Sequence, residues 1–157
     1  MKVIHYGNIV FNKDDFKHIT NDNWGKPRGG LWTSPVDSEY GWKEWCTDEE
    51  FRDCNVENSF TLELKDSCKI LKIDSKEDLI NIIYTYKGNY FNKIYLDFET
   101  ISKYYDAIWL TVKGESETRH CGMFDDGIPC IYGWDCESVL LLNNCCIKEG
   151  DENDCRN

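Results

Sequence analysis

Residues whose types and spacing can do chemistry concentrate in the run Gly29-Gly30-Leu31-Trp32-Thr33-Ser34-Pro35, continued by Tyr40-Gly41-Trp42-Lys43-Glu44-Trp45-Cys46. Paired glycines admit backbone shapes and ligand approaches that a side chain would block, while Leu31, Trp32 and Thr33 favour an extended strand. Ser34 has the chemistry of a helix N-cap, Pro35 fits a first helical position, and Asp37 takes the acidic place of a capping box. The spacing therefore predicts a glycine turn, a short strand and then a helix. Such a junction can offer backbone N–H groups and an aromatic face to a nucleotide. The same residues also suit a turn feeding a core strand and an aromatic packing helix. Lys26-Pro27-Arg28 stands directly before the glycines, where it could meet an anionic ligand or serve as solvated flanking charge. Glu137 stands at the entrance of an apolar strand, where a site could hold a carboxylate. His5 sits within a short apolar strand, a setting that suits either a hydrogen-bonded structural histidine or a ligand contact.

Thiols form a second concentration. Cys121, Cys130, Cys136, Cys145 and Cys146 crowd the last third beside His120, so zinc has to be weighed. There is no C-x-x-C pair and adjacent cysteines are poor tetrahedral partners, so no metal is expected. His120-Cys121 lacks the separated base and oxyanion donors of a cysteine hydrolase. Asp125-Asp126 lacks the glycine and glutamate spacing of a calcium loop. The cysteine count of nine is odd, and charged and turn residues arrive within fifteen positions of Met1, which predicts reduced thiols in a cytoplasm.

Size and charge bound the remaining choices. A chain of 157 residues has the length of one ordinary domain, and we expect a single domain over 1–147 with an acidic flexible tail over 148–157. A formal charge of −11 opposes non-specific nucleic-acid binding and anionic membranes. It is compatible with an acidic decoy that occupies a partner's nucleic-acid site. No run of eighteen apolar residues is present to span a membrane.

The elements that must position these groups follow from periodicity. Lys2 to Gly7 reads as a strand, and Asn8 to Arg28 as mainly loop with a short helical turn near Asp14. Thr47 to Glu50 offers a second capping box, with a helical turn carrying Phe51. Phe60 to Leu64 alternates strictly and Cys68 to Ile73 is apolar, so both predict strands. Ser75 should cap a helix with Leu79, Ile82, Ile83 and Tyr86 on its apolar face, stopped by Gly88. Phe98, Ile101 and Tyr105 recur at helical spacing, and Ala107 to Val112 predicts another strand. Lys113 to Gly133 reads as an irregular surface loop able to approach a substrate. Val139 to Asn143 predicts a buried strand, with Glu137 on the side of Val139 and Leu141. The whole is an α+β pattern: a compact mixed or antiparallel β-sheet core with short helices.

Taken in order, Ile4-His5-Tyr6-Gly7, Gly30-Leu31-Trp32-Thr33-Ser34 and Cys136-Glu137-Ser138-Val139-Leu140-Leu141 resemble the three motifs of the ADP-ribosyltransferase superfamily. The match is to its histidine–tyrosine–glutamate branch, that of diphtheria toxin and the poly-ADP-ribosylating enzymes, with Trp32 in place of the usual tyrosine. The resemblance spans roughly residues 3 to 143. It implies an ADP-ribosyltransferase-like fold and transfer of ADP-ribose from NAD, as co-substrate, to a macromolecular acceptor, protein or nucleic acid, with nicotinamide released. Glu137 would be catalytic, stabilising the positive charge that develops on the sugar. His5, Tyr6, Gly7, Arg28, Gly30, Leu31, Trp32, Ser34 and Tyr40 would hold the cofactor, with Lys26 a further partner for its pyrophosphate. A catalytically silent nucleotide- or protein-binding module of the same fold is the alternative. Toxin, phage-defence effector and counter-defence protein are the biological roles such a family opens.

Overall fold

The computed structural model describes residues 1–22, 25–88, 92–124 and 126–148. In chain order its elements are β1 (Lys2–Tyr6), β2 (Leu31–Pro35), α1 (Trp42–Asp48), β3 (Ser59–Glu63), β4 (Ile70–Ile73), α2 (Lys76–Ile80), β5 (Thr85–Lys87), β6 (Ile94–Leu96), α3 (Phe98–Ile101), β7 (Ala107–Leu110), α4 (Val112–Thr118) and β8 (Ser138–Leu141). One six-stranded sheet has the order β3-β1-β2-β8-β7-β4. Its neighbours run antiparallel except β4 and β7, which are parallel, while β5 and β6 form a separate antiparallel pair. The protein is thus mixed α+β, with a mixed sheet and short helices.

Alternation along the strands divides the apolar residues between the two sheet faces. Leu140, Ile108, Leu110 and Ile73 point to one side, where they meet Leu79, Phe98, Ile101 and Trp134. Val139, Leu141, Ala107 and Val3 point to the other, against Phe60, Leu62 and Ile147. β8 is buried at every position because both of its faces are covered.

Several expected boundaries shift for physical reasons. Ser34 and Pro35 continue β2 instead of opening a helix, because the Thr33 and Ser34 hydroxyls donate to the β8-side carbonyls of Val139 (2.7 Å) and Glu137 (3.0 Å). The helix starts later, at Trp42, and absorbs Thr47 and Asp48, whose expected capping box is therefore not formed. The helix after Ser75 ends at Ile80; Ile83 is exposed, and Tyr86 belongs to β5, paired with Tyr95. The strand at Ala107 stops at Leu110, since Thr111 caps a new helix by accepting from the Gly114 N–H (3.0 Å).

That helix, α4, replaces the first part of the loop expected over Lys113 to Gly133. A Cβ at Gly114 would lie 2.1 Å from the Ile73 carbonyl, so α4 can cross the end of β4 only with glycine there. Lys148, assigned to the tail, is instead fastened to β3: its N–H donates to the Glu63 carbonyl (2.9 Å), and its ammonium pairs with the Glu63 carboxylate. The rest of that tail lies outside the described residues.

Candidate functional site

The site forms where β1, β2 and the approach to β8 run side by side. Register sets Ile4 opposite Ser34 and Trp32 opposite Leu140. Ile4, Tyr6, Trp32, Ser34, Ser138 and Leu140 therefore share one face of the sheet by period-two geometry. Over that face lies a cavity of about 260 Å³ walled by the indoles of Trp32, Trp42 and Trp134, with Lys26, Arg52 and Asp135 as its charged lining.

Ser34 places one wall. Its hydroxyl accepts from the backbone N–H of Trp42 (2.9 Å) while donating to the Glu137 carbonyl. A single side chain thereby ties β2, the first turn of α1 and the entrance to β8. The Gly41 N–H is satisfied by the Glu44 carboxylate (3.0 Å), which completes the helix start. Trp42 then stacks on Trp45 at 4.9 Å, and Phe51 packs against both rings.

Trp134 places the other wall. Its indole N–H donates to the Gly25 carbonyl (3.0 Å), and its ring meets the Trp32 ring edge-on at 4.5 Å and lies parallel to Phe98 at 6.3 Å. The Lys26 ammonium sits 5.5 Å from the Trp32 ring centroid, a cation–π contact that holds this charge at the cavity. Arg52 supplies the second cation.

The titratable lining is suited to binding more than to nucleophilic attack. Burial pushes the Cys136 thiol up to about 11, a shift partly offset by its contact with Ser138, so the sulfur stays protonated at neutral pH. Burial likewise lowers the His5 pKa, against the raising effect of its bond to the Trp32 carbonyl, and the nearby Arg52 charge lowers it further. A carbonyl only accepts, so His5 carries its proton on Nδ1 and donates at 2.8 Å. The neutral ring then leaves Nε2 as an acceptor. Burial raises the Tyr6 phenol, reinforced by Cys54 and Glu44.

Of the residues expected from sequence, His5, Tyr6, Trp32, Ser34 and Lys26 are brought together around this cavity. Glu137 is not among its walls. It points with Val139 to the opposite face, where its carboxylate accepts from the Trp109 indole N–H (2.8 Å) beside a cleft of about 360 Å³ formed with Met1, Pro35 and Asp37. Leu31, paired with Leu141, packs into the core on that side. Arg28 turns to solvent and pairs with Asp22 (3.0 Å). Gly30, at φ +66°, lets the chain pass β8, since a Cβ would lie 2.7 Å from the Leu141 carbonyl; this glycine serves packing. Gly7 ends β1 by donating to the Asn58 carbonyl (2.7 Å). Tyr40 contributes its carbonyl to the Glu137 N–H (2.9 Å), and its phenol, raised chiefly by burial, bonds to Asp48.

Sequence reasoning missed Trp134, Asp135, Arg52 and Ser138 as lining residues. Period two from Leu140 back to Ser138 was a usable signal; Arg52 and Trp134 had none, because irregular segments carry them in. Among the described residues, no group of three or more His, Cys, Asp or Glu side chains is arranged to hold a metal ion, and no helix is long and apolar enough to cross a membrane. Comparison with protein-family models, curated proteins and solved structures returns no match.

Proposed function

We propose that this protein is a nucleotide-binding module whose ligand occupies the cavity between Trp32, Trp42 and Trp134, with NAD the first ligand to test. The observation that carries the reading is the combination of three indole walls with the cations Lys26 and Arg52 in one concave site. Flat aromatic walls suit a base or a nicotinamide ring, and the two cations suit phosphate oxygens. The Nε2 of neutral His5 adds an acceptor for a ribose hydroxyl. A space of about 260 Å³ is at the small end for ligand sites, so it encloses one nucleotide half and leaves the rest of a dinucleotide at the rim.

ADP-ribosyl transfer to a macromolecular acceptor is the second reading. It is favoured by the strand order, in which His5 on β1, Trp32 on β2 and the Glu137 segment entering β8 are lateral neighbours. Catalysis by Glu137 requires its carboxylate to leave the Trp109 indole and reach the cavity face.

Calorimetric titration with NAD, paired with a nicotinamide-release assay in the presence of cell lysate, separates the readings. Binding by wild type that falls about tenfold in Arg52→Ala, and is retained in Glu137→Gln with no nicotinamide release from either, supports the module. Release by wild type that disappears in Glu137→Gln establishes the transferase. Absence of binding by NAD and by mononucleotides, with the fold intact, rejects both.

A further inference from the structure

On the far side of the sheet from the cavity, two cysteines far apart in sequence pack into the same apolar cluster. Cys68 lies in the β3–β4 connection and Cys146 in the segment after β8, and the two thiols are close enough to influence each other's titration. Both segments are pinned by backbone. The Lys65 N–H donates to the Cys146 carbonyl (2.8 Å) and the Lys148 N–H to the Glu63 carbonyl (2.9 Å), while Leu64 and Ile147 form an antiparallel bridge. The Lys65 ammonium adds a bond to the Cys145 carbonyl (2.9 Å).

Asp106 fixes the two segments from a third direction. One oxygen of its carboxylate accepts from the Lys69 N–H (2.9 Å), the residue after Cys68. The other accepts from the Asn143 side-chain amide (2.9 Å). The Cys146 Sγ in turn lies 3.5 Å from the Asn143 carbonyl, which directs its S–H. The two sulfurs also differ in exposure: Cys146 is buried, whereas Cys68 is half-buried and accessible to a small oxidant.

We propose that Cys68 and Cys146 form a reversible redox pair, oxidised by peroxide to a disulfide that fastens the C-terminal segment to the β3–β4 connection, with Asp106 as the positioning residue. The Cys68 thiolate attacks one peroxide oxygen and the O–O bond breaks, giving a sulfenic acid and hydroxide, which takes up a proton. The Cys146 sulfur then attacks the sulfenic sulfur, forming the S–S bond and expelling the hydroxyl, which leaves as water with the Cys146 proton. Two thiols and one hydrogen peroxide become one disulfide and two waters. Interaction with the Cys146 thiol lowers the Cys68 pKa against the opposing effects of burial and Asp106, while the α-amino charge of Met1 assists. The same interaction, followed by burial, raises Cys146. One thiol is thus favoured as the attacking group and the other as the proton-bearing resolving group.

The test uses the reduced protein, treated with equimolar hydrogen peroxide and mapped by mass spectrometry of non-reduced peptides. A Cys68–Cys146 linkage should predominate, reverse with dithiothreitol and raise the thermal midpoint of the oxidised protein by several degrees, because it closes a long loop. Cys146→Ser should leave a sulfenic acid on Cys68 that dimedone traps, and Asp106→Ala should slow linkage formation several-fold. Cys46 and Cys54, a second pair of thiols that influence each other's titration, form the internal reference. Predominance of that pair, of linkages to Cys145 or Cys155, or of scrambled and over-oxidised products overturns the proposal. Iodoacetamide labelling of the unaltered protein provides a check free of folding effects: Cys68 should react before every other described cysteine, and slower labelling than at exposed Cys145 counts against it.

Discussion

The two faces of the sheet where β2 meets β8 use the same kinds of side chain to opposite ends. On one face, Trp32 and Trp134 meet edge-on and Trp42 lines the same hollow, with Lys26 and Arg52 also in its lining. On the other, the Trp109 indole spends its N–H on the Glu137 carboxylate, and the Lys72 ammonium covers its ring at 4.9 Å. Indole used as a wall leaves room for a ligand; indole used as a donor satisfies a buried carboxylate. The difference teaches that a glutamate beside an aromatic strand is not thereby a site residue, because adjacency along β8 alternates between faces.

Mutations can break this contrast from either side. The largest effect is expected for Trp134→Ala, which removes a ring that is both cavity wall and core: a loss of about 3–5 kcal/mol in denaturant unfolding, together with loss of ligand binding. A loss under about 1 kcal/mol would show that the Trp134 ring is not packed between Trp32 and Phe98. On the opposite face, Trp109→Phe keeps the ring but deletes the donor to Glu137, leaving a buried carboxylate oxygen unpaired. That change should cost about 1.5–3 kcal/mol and leave nucleotide affinity unaltered. An equal fall in affinity would mean that the two faces are coupled and that Glu137 reaches the cavity.

The smallest effect sharpens the cavity's electrostatics. His5 is held neutral, with a folded pKa below the ordinary 6.5, so between the two values the unfolded chain binds more protons and stability rises with pH. The His5 contribution should be complete above about pH 6.5 and be lost as the pH falls through the folded pKa. Comparing the pH dependence of unfolding for wild type and His5→Phe isolates it. A contribution that grows on acidification would reverse the assignment and mean that the imidazolium is the form the fold prefers.

Much of the fold could be read directly. Strict alternation at Phe60 to Leu64, the apolar run before Asn143 and the short apolar stretch at Lys2 to Tyr6 each became strands, because pattern and burial agree there. Ser75 caps a helix as its chemistry suggests. Where the reading failed, a distant partner outweighed local propensity. Ser34 does cap a helix, but α1 begins eight residues later and is reached through space. Tyr86 fits a helical stripe and lies instead in a strand, paired with Tyr95. Thr111 and Gly114 start a helix where glycine suggested a loop, since α4 gains from its approach to Ile73. In the candidate site, His5, Tyr6, Trp32 and Ser34 were found through their motifs. Arg52 and Trp134 were not, because irregular segments deliver them.

What the sequence by itself determined is the six strands of the main sheet, the side of its own strand on which each of their residues lies, and an acidic, aromatic-rich, thiol-rich composition. These follow from backbone periodicity and solvation, which act within a few residues. What only the tertiary structure decided is which sides meet. Register sets Trp32 opposite Leu140 rather than Val139, and a shift of one residue would have put Glu137 on the face of the indoles. That register is fixed by hydroxyl bonds from Thr33 and Ser34 to carbonyls more than a hundred residues away, and by two apolar layers that must both be filled.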